Sequence, residues 1–250
     1  METTNKKTIG DYVANDFRTA ALFSKYGIDF CCKGNRTVAE ACEKKALDAN
    51  QLEKEIKAIL NSSTDQTTDF KSWPLDELID YILKTHHTYV AEKSKVLYLF
   101  LDKLCKVHGS RHPELLEIYK FFSGGAGELA NHMKKEELIL FPFIVNMVDA
   151  QKTNHPIPTA HFGTVAHPIA MMQDEHSIEG ERFAKIAEMT HNYTPPTDAC
   201  ETYKVTFAML KEFESDLHKH IHLENNILFP AAQDLEIQLI RLGKLAHAQI

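Results

Sequence analysis

His132-Met-Lys-Lys-Glu136-Glu-Leu-Ile139-Leu140-Phe141-Pro142 returns, 88 positions further on, as His220-Ile-His-Leu-Glu224-Asn-Asn-Ile227-Leu228-Phe229-Pro230. Both stretches read H-x-x-x-E-x-x-I-L-F-P. On an α-helix, residues i and i+4 share a face and lie about 6 Å apart along the axis. Each copy therefore points one imidazole and one carboxylate the same way. That pair of side chains is a ligand set for a transition metal, with iron a good candidate. Two copies suggest two metals held between two helical hairpins.

Outward from the repeat, apolar residues recur at three- and four-residue spacing almost throughout, so the chain reads as all-α. Residues 1–60 form a small helical module. There Thr8 caps a first turn, Gly27 follows an amphipathic stretch from Asp16 to Tyr26, and Thr37 with Glu40 forms a capping box. Asp48 caps a helix through Leu60. Between Gly27 and Thr37 lies a loop carrying Cys31 and Cys32. Residues 61–72 are polar and read as a linker. Residues 73–250 hold four long helices, expected over about 73–107, 113–148, 168–192 and 198–229, with a tail helix beyond Pro230. A long loop spans 149–168, with Pro156, Pro158 and Pro168. Four long helices in sequence make an up-down bundle the default, preceded by the small helical domain.

A bundle that uses its second and fourth helices for metal should also use its first and third. The first offers His86 and His87; the third offers His176, preceded by Glu175. His87 precedes His132 by 45 positions and His176 precedes His220 by 44, so each hairpin would contribute one His, then His plus Glu. The helical wheel does not choose between His86 and His87: one continues the stripe from Ile82, the other that from Leu75, Ile79 and Leu83. Glu128 extends the stripe of His132 and Glu136. Glu128 and Glu175 are candidate bases, proton relays or alternative ligands. His218 and His222 lie about 200° from His220 and read as surface residues. His108, His112, His155, His161 and His167 read as solvated loop residues. Cys42, Cys105 and Cys200 read as inert core. The adjacent Cys31 and Cys32 are poor disulfide partners and candidate reactive or metal-binding thiols.

Composition narrows the function classes. The chain has 250 residues, a net charge of −7, 14 histidines and five cysteines. Mixed charge gives no reason to expect nucleic acid or an anionic membrane as partner. No apolar run reaches the length of a membrane span, no secretory signal is visible, and the odd cysteine count suits a reducing cytoplasm.

Taken together, these pieces resemble the di-iron iron–sulfur cluster repair proteins, the RIC family, whose bundle is hemerythrin-like. The resemblance rests on Leu22-Phe-Ser-Lys-Tyr-Gly-Ile-Asp-Phe-Cys31-Cys32-Lys-Gly, on Ile79-Asp80 through His87, on Glu128 through Glu136, on Asp174-Glu175-His176, and on the second H-x-x-x-E copy. It implies His87 rather than His86 as ligand. The implied cofactor is two non-heme irons, oxo- or hydroxo-bridged, on His87, His132, Glu136, His176, His220 and Glu224. It implies a role for Cys31 and Cys32 in iron transfer, docking or redox coupling. The implied setting is a cytoplasmic homodimer that restores clusters damaged by nitric oxide or oxidants, with damaged cluster proteins as partners and a possible electron donor. The alternatives are a hemerythrin-type oxygen or nitric oxide binder or sensor, and a nitric oxide reductase.

Overall fold

The computed structural model describes residues 7–62, 68–153 and 155–245. Among them there is no β-strand. Four short helices come first: α1 (Ile9–Asn15), α2 (Arg18–Lys25), α3 (Val38–Lys45) and α4 (Ala49–Asn61). The starts of α1, α3 and α4 follow the expected caps. Thr8 and Thr37 each close a capping box with the residue three positions on, and the Asp48 carboxylate accepts from the Asn50 and Gln51 amides. Gly27, just past α2, has φ 60°, the left-handed backbone for which a helix-ending glycine is suited. The expected linker is described only in part, since 63–67 lie outside the described residues. Phe70–Ser72 forms a 3₁₀ turn.

Four long antiparallel helices follow. The first joins α5 (Leu75–Tyr81), a π-helical stretch at Ile82–His87, and α6 (Thr88–His108). The second joins α7 (Glu114–Lys135), a π-helical stretch at Glu136–Leu140, and α8 (Phe141–Thr153). The third is α9 (Ala166–Met189) alone. The fourth joins α10 (Glu201–Leu223), a π-helical stretch at Glu224–Leu228, and α11 (Phe229–Arg241). The fourth thus runs on through Pro230, where a break and a tail were expected. In a regular helix Pro142 and Pro230 would each lose a backbone bond and press their ring on the carbonyl four residues back. The wider turn just before each relieves that clash, and the amides of Phe141 and Phe229 reach back five residues to the carbonyls of Glu136 and Glu224. The loop after the second helix is shorter than expected because α8 continues to Thr153 and α9 begins at Ala166.

Two apolar cores fill the bundle. One, around Leu97, Leu101, Phe122, Phe183, Phe213 and Leu217, is continuous with the N-terminal residues Ile9, Phe23, Leu52 and Ile56. The other gathers Leu78, Ile82, Leu140, Ile144, Ile169, Leu228 and Phe229. Along every long helix the expected ligand position falls where one core gives way to the other. The polar site is therefore sealed above and below by close-packed aliphatic and aromatic side chains.

Candidate metal centre

Six buried side chains meet in that gap. His87, Glu136, His220 and Glu224 form one group, and His132, Glu136, His176 and Glu224 a second, with donor atoms in each within 4.8 Å of one another. The two glutamates belong to both. In the first group His87 Nε2 lies 3.4 Å from Glu136 Oε2, and His220 Nε2 lies 2.9 Å from Glu224 Oε1. In the second, His132 Nε2 is 3.3 Å from Glu136 Oε2 and His176 Nε2 is 3.2 Å from Glu224 Oε2. Glu224 thus gives one oxygen to each side.

The donor set fits a pair of cations. Both oxygens of Glu136, Oε2 of Glu224 and Nε2 of His87 are buried without a hydrogen-bond partner among the described residues. Buried polar atoms are nearly always satisfied, so a cluster of four unsatisfied ones points to missing partners. Glu136 and Glu224 are fully buried. Burial pushes both carboxyls up, but the neighbouring histidines outweigh it, holding Glu136 below the ordinary range and Glu224 well below it. Burial opposes charge on His87 and His132 as well. The two carboxylates override it, pushing His87 up to about 10 and His132 to about 9. Metal binding at either position therefore competes with protons on His87 and His132.

The far nitrogens of the histidines are oriented by neighbours. His87 Nδ1 meets Glu137 at 2.8 Å, His132 Nδ1 meets Glu175 at 2.7 Å, and His176 Nδ1 meets the Asn225 side-chain oxygen at 2.9 Å. Such contacts fix ring orientation and tune a ligand's basicity. Lys135 clasps the other oxygen of Glu175. Among the described residues His220 Nδ1 has no hydrogen-bond partner. Instead His86 stacks on its ring, with centroids 5.6 Å apart and planes 5° apart. His86 belongs to neither donor group; its Nδ1 meets Asp216 at 2.9 Å.

Glu128 stands apart from the donors, exposed and paired with Arg182. It lines the wall of a cavity of about 420 Å³ together with His132, Lys135, Glu175, His176 and Glu179. The cavity opens on the second group and not on His87 or His220. Glu179 was not anticipated. It is buried, its Oε2 is unpartnered, and burial pushes its carboxyl up to about 7. Its spacing from His176, three positions on the same helix, was the available signal.

Cys31 and Cys32 sit on the outer side of His176. Their sulfurs are 3.6 Å apart, and Cys32 Sγ lies 3.3 Å from the His176 carbonyl oxygen. With Asp29 they form a third group of possible ligands. The Cys32 thiol beside it and burial push the Cys31 thiol well up.

Several expected surface or inert residues lie elsewhere. His222 is buried, and His218 is partly so; both pack on Phe30, and His222 also on Phe17, so they seat the N-terminal module. His108 is buried and meets Cys200 Sγ at 3.3 Å, while Cys200 is exposed at the start of α10 rather than in a core. His112 bridges Glu114 and Asp198. His155, His161 and His167 are exposed, as expected.

Residues 78–232 match the family described as hemerythrin HHE cation binding domain, and residues 5–60 match a domain of unknown function, DUF542. Iron-sulfur cluster repair protein YtfE from Escherichia coli O81 (strain ED1a) is 35% identical over 224 residues, covering 90% of this chain and 95% of that protein. The proteins of the same name from Escherichia coli O1:K1 / APEC and Escherichia fergusonii match to the same extent.

Proposed function

Because the chain belongs to the hemerythrin HHE cation-binding family, we propose that it is a repair factor for damaged iron–sulfur clusters that works through two non-heme irons. The observation that carries this is the pair of four-residue donor groups sharing Glu136 and Glu224. One position would be held by His87 and His220, the other by His132 and His176, with both glutamates common to the two. Two imidazoles and two carboxylate oxygens leave each position short of a full coordination shell, which suits exchange with a ligand or client better than a sealed structural clamp. Bound iron would supply redox chemistry and transferable metal.

The chain's own residues prepare the site. The two apolar cores exclude water from above and below. Glu137, Glu175 and Asn225 hold the rings of His87, His132 and His176 with Nε2 facing inward. The cavity beside Glu128, Glu175 and Glu179 gives the His132/His176 position access to solvent. The described N-terminal residues 7–61 act as a module docked on the four long helices that lie between residues 75 and 241, presenting Cys31 and Cys32 beside the metal site. All five cysteines are free thiols, in keeping with a reducing cytoplasm. No described helix is long and apolar enough to cross a membrane.

The test mixes iron-loaded protein with a cluster enzyme inactivated by nitric oxide. Activity should return faster than with an equal amount of free ferrous iron. Equal rates would refute repair.

A further inference from the structure

The two H-x-x-x-E copies diverge at the residue after the glutamate, and that divergence touches the cysteine loop. In the first copy Glu137 binds Nδ1 of His87, the histidine of the preceding long helix. In the second copy the equivalent Asn225 binds Nδ1 of His176 in the same way. A carboxylate only accepts hydrogen bonds; a carboxamide also donates. The Asn225 amide nitrogen uses that freedom to donate to the Cys31 carbonyl at 3.2 Å. The next pair diverges likewise. Leu138 is 74% exposed, whereas Asn226 donates to the carbonyls of Phe30 and Cys31 and meets His222 Nδ1. The second copy is thus altered at the two positions that face the N-terminal module.

On the loop side, the Asp29 carboxylate accepts from the Cys31 and Cys32 amides at 3.1 and 2.9 Å, which fixes the turn that offers the Cys31 carbonyl. Cys32 Sγ reaches the His176 carbonyl, and a Cβ at Gly180 would lie only 3.2 Å from that sulfur, so the glycine lets α9 approach the loop. His176 is therefore held from both ends by the cysteine loop: through Asn225 at its ring and through Cys32 at its backbone. No other donor histidine has such a link among the described contacts. The same metal position is the one that opens on the cavity.

We infer that Asn225 is a positioning residue that ties the Cys31–Cys32 loop to His176, so that the loop sets how firmly the His132/His176 position holds its metal while the His87/His220 position is insulated from it. This rests on the two-iron site proposed above. Loss of such an orienting contact commonly weakens metal binding 10–100-fold.

The full-length protein is loaded with two equivalents of ferrous iron and challenged with a ferrous chelator, and release is followed by absorbance. Two phases are expected, one of which His176→Ala removes. Asn225→Ala should speed that phase about 10–100-fold and leave the other within about twofold. Asn225→Asp keeps the acceptor for His176 but loses the donor to Cys31, and should speed the same phase. Asp29→Ala removes the carboxylate that fixes the turn while leaving Asn225 and the six donors in place, and should do so too. Circular dichroism melts on the same samples establish that each variant is folded. The inference is overturned if Asn225→Ala changes neither phase or both alike, or if Asp29→Ala leaves the His176-dependent phase unmoved. These kinetics without restoration of a damaged cluster would end the repair reading and leave the link standing; unchanged kinetics with repair intact would do the reverse.

Discussion

Glu179→Gln should make the protein more stable, by an amount that grows as pH rises from about 4.5 to 7. Glu179 is 3% exposed; its Oε1 accepts from Arg182 Nε at 3.1 Å and its Oε2 has no partner. Burial pushes the carboxyl up, Arg182 pulls it back and Glu128 adds to the rise, leaving it at about 7 against an ordinary 4.5. Between those values the folded protein holds a proton that the unfolded chain has released. Stability from this group is therefore fully present below about pH 4.5 and is lost as pH climbs through 7. At about 1.4 kcal/mol for each pKa unit, the full loss is about 3 kcal/mol. Glutamine keeps the acceptor for Arg182 and never ionises. Relative to the parent protein, the variant should gain only about 1 kcal/mol at pH 5 and about 3 kcal/mol at pH 8. The assay is urea unfolding of both proteins, iron-loaded, at the two pH values; taking the difference between variants removes the pH dependence of metal binding common to both. A difference that is the same at both pH values, or that falls as pH rises, would refute the placement of this carboxyl.

Three further outcomes follow from the packing and the shared ligands. Glu136→Ala and Glu224→Ala should each abolish both metal positions, whereas His176→Ala should leave one iron per chain, as read by elemental analysis of the purified variants. Phe30→Ala empties the aromatic seat between Phe17, His218 and His222. It should cost about 3–5 kcal/mol in denaturant unfolding and open the buried Cys31 to alkylation. Gly125→Ala would set its Cβ 2.6 Å from Arg182 Cδ and 2.7 Å from Glu179 Oε2. It should cost about 1–3 kcal/mol of stability, measured by thermal or urea unfolding.

Much of the site could be read from the chain because its residues are of a kind a helix core does not otherwise hold. His132, Glu136, His220 and Glu224 announce themselves by spacing and by repetition, and His176 follows from the matching interval. The helix caps at Thr8, Thr37 and Asp48 were legible for a similar reason: a cap is a local event, settled by residues three positions apart. The residues that bind the N-terminal module to the bundle were not. His218, His222 and Phe30 are brought together across nearly 190 positions of sequence, and nothing local marks a histidine on the outward face of a helix as covered by another domain. Cys200 and His108 meet for the same non-local reason, through the packing of α6 against α10.

The π-helical stretches were hidden for a different reason, and they explain why His86 and His87 could not be separated by a helical wheel. A stretch bonded five residues back adds a residue to the turn and rotates every later side chain by roughly 100° relative to a regular helix. Apolar spacings of three and four absorb that step without trace. The one clue was Pro142 and Pro230, each placed where a regular helix would clash. At Ile82–His87 there is no proline, and Thr88 bonds its hydroxyl to the carbonyl of Leu83, five residues back. A wheel drawn from Leu75 or from Ile82 is therefore out of phase by the time it reaches the pair. In the folded chain His87 turns inward to Glu136 and Glu224, while His86 lies against the flat of His220. In the second and fourth helices the wide turn begins at the shared glutamate itself, and the next residue, Glu137 or Asn225, reaches the histidine of the neighbouring helix. One backbone irregularity thus presents a candidate donor and, from the next position, the group that orients another. That pairing is why the divergence from Glu137 to Asn225 matters: it changes what the orienting group can also hold.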